Sequence, residues 1–287
     1  MTRVRMPAQM AARTKPESLP ASELDAIERN AYEAIQPGVV EIRDDGDVWI
    51  VRAAGPPGMI GYSRAGVLRF PDADAARLRI DELTGGFHAE GRSAAFAFAH
   101  GVSQPPELEE VLRERGLIEI ERESVLWTRE PPAIPHLGAG IRIEQVTEAT
   151  ARHYIEVEAA VFGIPPGMAA GRLPALRASL GLPGRRAFLV SSNGRHVATA
   201  RLTVAASLAS LTSVGVLPDA RGRGYGRLIT AVTTRAGLAA GSRLAWLAVA
   251  PDNRAAMRLY ETLGYRAAFE RSLWIEPGLR PGRRGAA

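Results

Sequence analysis

The chain has 287 residues, 46% hydrophobic and 23% charged, which describes a soluble globular protein of one large domain or two of ordinary size. Its net charge of +5 raises the question of nucleic acid, but seven cations (Arg3, Arg5, Arg13, Lys15, Arg280, Arg283, Arg284) lie in the two tails, so the stretch between them carries a net −2 and the pattern argues against that partner. The absence of cysteine removes disulfides, thiolate nucleophiles and cysteine metal sites together; no apolar run reaches the length of a membrane span, and residues 1–20 lack the apolar core of a signal peptide, so a cytoplasmic location is expected.

In chain order, residues 1–20 read as a flexible basic tail. "VVEIRDDGDVWIVR" reads as a hairpin and "AAFAFA" as a strand. A linker follows in "TREPPAIPHLGAG", where Pro131, Pro132 and Pro135 exclude helix. It sets boundaries of 21–130 for a first domain, 131–139 for the linker and 140–275 for a second domain, with 276–287 as a tail. In the second part, Ile141 to Val146 alternates like a strand, and a helix is predicted over Glu148 to Ala160. The Gly/Pro-rich "FGIPPGMAAGRLPALRASLGLPG" comes next, then strands at Ala187 to Ser191, His196 to Val204 and Leu208 to Val216. Tyr225, Leu228, Ile229, Val232 and Ala236 recur at helical spacing, with Gly241 placed to end the helix. "LAWLAVA" is a buried strand, "DNRAAMRLYETLGY" a short helix capped by Asp252 or Asn253, and "RSLWI" a last strand.

The first half reads as a worn copy of the second. "FPDADAARLRI" resembles "LPDARGRGYGRLI", and "LRERGLIEIERESVLW" resembles "YETLGYRAAFERSLW". Pro71 to Trp127 and Pro218 to Trp274 each span 56 residues, which points to a tandem repeat. In the first copy Asp74, Ala75 and Ala76 stand where the second has arginine and glycine, and Leu112 takes the place of Tyr260.

Between a strand and a helix lies "VLPDARGRGYGRL", with Gly222, Gly224 and Gly226 alternating with arginine and tyrosine. A helix start leaves backbone N–H groups unpaired and partially positive, and glycine lets an anion approach them closely. A phosphate or diphosphate is the natural guest. A P-loop needs Gly-Lys-Ser/Thr, and no lysine is here. A dinucleotide fingerprint needs G-x-G-x-x-G and a following acid, and "RLAWLAVA" has none. What remains is R-x-x-G-x-G after a V-x-P turn.

"VGVLPDARGRGYGRL" resembles the coenzyme A loop of the GNAT acyltransferase superfamily, and "NRAAMRLYETLGY" resembles that family's later helix, over about residues 141–275. The whole chain resembles tandem-repeat GNAT proteins with a degenerate N-terminal half. The resemblance implies an α/β fold of two GNAT-like domains, each a mixed, mostly antiparallel sheet flanked by helices. It implies Val214, Gly215 and Val216 beside the pantetheine arm of acetyl-CoA, and Arg221, Gly222, Arg223, Gly224, Tyr225, Gly226 and Arg227 around its diphosphate. Asn253 matches a side chain near the pantetheine, and Tyr260 the tyrosine that protonates the departing thiolate. The implied activity is acetyl transfer from acetyl-CoA to an amine, without a metal, by direct attack in a ternary complex. The rivals are a mycothiol-synthase-like acetyltransferase and a non-catalytic acyl-CoA sensor.

Such chemistry needs a base, an oxyanion donor and an acid for sulfur. Backbone N–H near Val216 suits the oxyanion. The family's glutamate on the strand before the second helix is missing, since Leu247, Ala248 and Val249 stand there. Glu156 or Glu158 acting through water, or an acceptor amine of low pKa needing no base, are the alternatives. No Asp or Glu occurs from Ala159 to Leu217 while arginines do, so the acceptor is expected to be a small amine, neutral overall or bearing a carboxylate, rather than a polycation. Asp44, Asp45 and Asp47 are first-half acids that would temper this if they bordered the site. Plainer readings stand beside these: Tyr260 as core, Asn253 as a helix cap, Trp246 and Trp274 as packing, and His153 as a surface or core residue rather than one facing the acceptor. The five histidines show no metal-ligand spacing.

Overall fold

A computed structural model describes residues 18–35, 40–53, 63–136 and 138–278. The seven tail cations lie outside the described residues. The alternating segments form strands β1 (Val40–Asp44), β2 (Trp49–Ala53), β3 (Arg64–Gly66), β4 (Ala95–Ala99) and β5 (Ile118–Thr128), then β6 (Ile141–Gln145), β7 (Arg185–Ser192), β8 (Arg195–Ala205), β9 (Leu208–Val216), β10 (Leu244–Val249) and β11 (Arg266–Ile275). The helices are α1 (Ala21–Glu33), α2 (Ala73–Ala89), α3 (Leu108–Glu114), α4 (Ala151–Phe162), α5 (Pro166–Leu180), α6 (Tyr225–Ala239) and α7 (Arg254–Thr262).

Two elements differ from expectation. The helix predicted from Glu148 starts at Ala151, because Thr150 Oγ1 takes the Thr147 N–H and closes a turn ahead of it. The Gly/Pro-rich stretch folds largely into α5. Pro166 sits in its first turn, where a missing N–H is no loss. Pro174 lies inside, tolerated because the helix is held by tertiary packing, with Leu176 only 1% exposed.

The eleven strands form one mixed sheet flanked by helices, in the order β1-β2-β3-β4-β11-β5-β10-β9-β8-β7-β6. Among the described strands, only β3/β4 and β9/β10 pair in parallel. The last strand of each half lies beside the other half. β5 runs antiparallel along β10, placing Trp127 opposite Trp246, while β11 runs antiparallel along β4, placing Trp274 opposite Phe96. These two exchanged strands also pair with each other at the centre of the sheet.

The cores follow this exchange. Trp274, from the end of the chain, is buried among first-half residues such as Leu68, Ile80, Phe96 and Leu112. A separate cluster at the junction joins Ile27 of α1 to Val125, Trp127, Leu208, Leu244 and Trp246. There Trp246 Nε1 donates to Asn30 Oδ1 at 2.8 Å, and Asn30 Nδ2 donates to the Ala205 carbonyl at 2.9 Å. Both tryptophans are therefore packing residues, and α1 is stitched by a buried amide onto the sheet of the second half.

Candidate active site

The site is built where β9 parts from β10. The two strands are paired only over Leu208–Leu211 and Leu244–Leu247, while β9 continues to Val216. The cause is a bulge: Thr212 faces Arg201 and Gly215 faces Thr199, so Ser213 and Val214 together stand opposite Ala200. Ser213 takes φ 51°, a left-handed conformation unusual for a residue with a side chain, and its carbonyl accepts from Thr199 Oγ1 at 3.0 Å. Nothing in the residue pattern announced this bulge.

Beyond it, the ladder with β8 resumes, and Leu217 N–H donates to the Val197 carbonyl at 2.9 Å. Bonded and non-bonded pairs alternate in an antiparallel ladder, so the neighbouring residue Val216 turns its own N–H and C=O away from β8, into the opening left by β10. Gly215 is required by packing: a Cβ there would lie 2.4 Å from Val161 Cγ1 and 3.2 Å from Phe162 Cζ. The end of α4 thus presses directly on the β9 backbone at the mouth of the opening.

The glycine loop meets the same opening from the other face. A 3-10 turn at Pro218–Ala220 leads into it, and Gly222 and Gly224 take φ of 76° and 85°. Gly224 is the N-cap of α6 and supplies no side-chain cap. Among the described residues, the amides from Gly222 to Arg227 find no acceptor; the first helical bond runs from Leu228 N–H to the Gly224 carbonyl. Six consecutive donors at a helix start concentrate partial positive charge. No side chain of the described residues fills them. Gly226 permits close packing, since a Cβ would lie 3.1 Å from Leu259 Cδ1 and 3.5 Å from Val216 Cγ2. The loop, the end of β9 and α7 therefore converge on this residue. Gly237 lets α6 lie close on β9, a Cβ there falling 2.5 Å from Ala209 Cβ.

The arginines of the loop reach backbone carbonyls: Arg221 Nε donates to Val216 O and Arg223 Nη2 to Asp219 O, both at 3.3 Å. Arg227 is exposed at the start of α6. Tyr225 turns inward, its hydroxyl donating to Ser192 Oγ at 2.9 Å, so it offers the opening only its amide. Asn253 caps α7, its Oδ1 accepting from Ala256 N–H at 3.1 Å.

Tyr260 follows Leu259 on α7 and is 7% exposed. It joins the main core with Leu247, Val249 and Tyr265, its ring 5.9 Å from that of Tyr265. Tyr265 is tied to Thr234 Oγ1 at 2.7 Å, whereas the Tyr260 hydroxyl has no hydrogen-bond partner among the described residues. Burial pushes its pKa up to about 12, so the phenol keeps its proton throughout the neutral range.

The two candidate bases separate sharply. Glu156 lies on the outer face of α4, lining an open groove of about 530 Å³ with Arg152, Ile155, Ile164 and Leu173. Glu158 lies on the inner face with no exposure, ion-paired to Arg172 Nε at 3.1 Å and to Arg201 Nη2 at 3.3 Å. Arg201 Nε also donates to Tyr154 Oη at 3.2 Å. None of Tyr154, Arg172 and Arg201 was singled out from sequence, although the acid-free stretch holding the two arginines was. His153 is exposed and stacks on His196 at 4.7 Å, a surface pair. Asp45 and Asp47 do not border the opening: they sit by β1 and β2 at the other end of the sheet, held by Arg79, with Arg43 also on Asp45. Among the described residues no group of His, Asp or Glu could hold a metal, and no helix is long and apolar enough to cross a membrane.

Residues 159–265 match the family model described as Acetyltransferase (GNAT) family. The match takes in the bulge, the glycine loop, β10 and α7, and covers less than half of the chain. No curated protein matches. Among solved structures, a GCN5-related N-acetyltransferase from Kribbella flavida superposes with a TM-score of 0.69 at 23% identity, over 88% of this chain and 96% of that one. Another from Sphaerobacter thermophilus gives 0.60 at 16% identity, over 94% and 97%. A tandem GNAT protein from the clavulanic acid biosynthesis pathway gives 0.57 at 18%, over 92% and 90%. At these identities the likeness is one of fold. Over residues 159–265 the chain is similar to the Acetyltransferase (GNAT) family, and the structural neighbours share its fold.

Proposed function

We propose that the protein is an acyl-CoA-dependent N-acyltransferase that moves an acetyl group to the amine of a small molecule, acting in the cytoplasm. The observation that carries this is the run of amides from Gly222 to Arg227 without an acceptor among the described residues, opening beside a β9 edge that β10 has left. A coenzyme A diphosphate matches that run in charge and in its demand for donors. Acetyl-CoA would supply the thioester acyl group. Val214, Gly215 and Val216 would align it along β9, and the outward N–H of Val216 would face the carbonyl oxygen as charge develops there. Tyr260, neutral and otherwise unpartnered among the described residues, would hold the proton needed by the departing sulfur. Glu158 is committed to two guanidiniums, which argues against it as the base.

We assign the first half as a degenerate repeat of the second. The strand exchange supports this: β3∥β4 followed by β11 repeats the arrangement β9∥β10 followed by β5. So does α2, where the counterpart of the glycine loop is already filled. Asp72 Oδ1 accepts the Ala75 N–H at 2.8 Å, so the chain supplies its own anion there. A purely sensing role keeps one argument, the apolar run Leu247, Ala248, Val249 where a base would be expected. Calorimetric titration with acetyl-CoA and thiol release across an amine panel distinguish the readings. Binding with turnover supports the transferase; binding without turnover on any amine leaves the sensor; no binding sinks both.

A further inference from the structure

The sheet ends on β6, and among the described residues no strand lies beyond it. Its neighbour β7 takes the even-numbered backbone groups. Asn193 N–H donates to the Gly140 carbonyl at 2.9 Å, and Val146 N–H to the Ala187 carbonyl at 2.7 Å, at the two ends of the strand. The register between them runs without a shift, from Ile141 opposite Ser192 to Gln145 opposite Phe188, so Arg142 and Glu144 also turn their N–H and C=O toward β7. The backbone groups of Ile141, Ile143 and Gln145 therefore point outward. Open edge groups of this kind are a template for another strand.

The side chains say which strand. Charges of one sign on an edge would repel a second copy, but β6 carries both signs, placed symmetrically about its central residue. In an antiparallel pair with a twofold axis at Ile143, that residue meets its own copy, and Arg142 of each chain meets Glu144 of the other. The backbone agrees with this register. Ile143 faces its copy with outward N–H and C=O, as a hydrogen-bonded pair requires, so Arg142 and Glu144 fall at the non-bonded positions, where facing side chains come closest. Arg142 is exposed and has no hydrogen-bond or ion-pair partner among the described residues. Glu144 keeps 48% of its side chain exposed, with His196 Nε2 at 3.5 Å. On the opposite face Ile141 and Ile143 are half-buried against the main core, and a second copy would cover them further.

The other edge of the sheet, β1, fits less well. Antiparallel pairing of β6 with β1, Ile143 against Ile42, sets Glu144 against Glu41 and Arg142 against Arg43, like charges in both places. β1 has the same symmetry of sign as β6, but its cation is already held, Arg43 Nε lying 2.7 Å from Asp45.

We propose that β6 is a homodimer interface, on which a second copy of this chain lays its own β6 antiparallel and in register at Ile143. The two sheets become one. The opening beside β9 lies three strands inward, so each copy keeps its own site.

Sedimentation equilibrium of the full chain is expected to show a dimer whose fraction rises with concentration. Arg142→Glu and Glu144→Arg each set like charges opposite one another and should raise the dimer dissociation constant by roughly tenfold or more. Mixed in equal amounts, these two variants should pair with each other, since each supplies the sign the other lacks. The double variant Arg142→Glu/Glu144→Arg restores the opposite-sign pairs and should dimerise like the parent. Ile143→Pro removes an outward N–H that the chain itself does not use, and should also be monomeric. Circular dichroism and an unfolding temperature near the parent's report that each variant is folded; if Ile143→Pro is not, the charge variants carry the test. A parent chain that stays monomeric at its highest soluble concentration overturns the proposal. So does a dimer that persists in Arg142→Glu, since it would lie on another surface. Charge variants that are monomeric alone and fail to pair on mixing overturn the register.

Discussion

Replacing Gly224 with aspartate puts a carboxylate at the start of α6, at φ 85° and among six amides that have no acceptor among the described residues. Two effects follow, and a second variant separates them. The left-handed backbone penalises any side chain by about 1–2 kcal/mol, least for Asp and Asn. Gly224→Asn carries that penalty without the charge. The carboxylate adds repulsion toward a diphosphate: two unit charges about 4 Å apart interact by about 1 kcal/mol in water and about 4 kcal/mol near a protein surface. Since each 1.4 kcal/mol is tenfold, coenzyme A affinity in Gly224→Asp should fall by roughly 5- to 700-fold below that of Gly224→Asn. Both variants should unfold at similar temperatures. Titration calorimetry at fixed ionic strength reads the difference, which should shrink as salt is added. Unchanged affinity in a folded Gly224→Asp protein, or equal losses in the two variants, would refute the reasoning that the loop amides hold a diphosphate.

Tyr260→Phe should retain acetyl-CoA affinity and lose about 100- to 10,000-fold in turnover, read by single-turnover transfer; full activity removes Tyr260 as the acid. Stability should be flat up to pH 10 and fall from there to pH 12. The folded pKa of Tyr260 is raised to about 12 from 10.0, so its contribution is complete below the unfolded value and is lost as pH rises through the folded one. Chemical denaturation at pH 8 and pH 11 checks this, with a loss of about 1.4 kcal/mol expected from Tyr260 between the two. Tyr154 and Tyr265, also raised by burial, act in the same direction. Asp72→Ala should cost about 1 kcal/mol through the lost cap and leave one coenzyme A bound per chain; a second bound equivalent would mean that the first half is a latent site. Residues 140–278 produced alone should fail to form a soluble monomer, because β10 would lose β5 and expose its edge; a stable, binding-competent fragment would contradict the exchanged-strand account.

The glycine loop, a polar cap at the start of α7 and most strands and helices of the second half were legible from residue types, because each depends on local backbone requirements; α5 was not, since its Gly/Pro-rich composition reads against helix. A left-handed φ calls for glycine at 222 and 224, a cap for a side-chain acceptor, and a strand for alternation. The acid-free stretch from Ala159 to Leu217 was also legible as a bias of charge, but not as part of an ion-paired cluster. Only the tertiary structure brought Arg172, Arg201 and Glu158 together, from three elements whose spacing in the chain carries no period. It alone decided that β5 completes the sheet beside β10 and β11 the sheet beside β4, since either terminal strand has the same alternation and the choice lies in which edge buries which tryptophan. The left-handed turn at Ser213 likewise has no residue signature, and it lies in the bulge where β9 parts from β10. Local sequence wrote the glycine loop, while long-range packing made the opening that the loop faces.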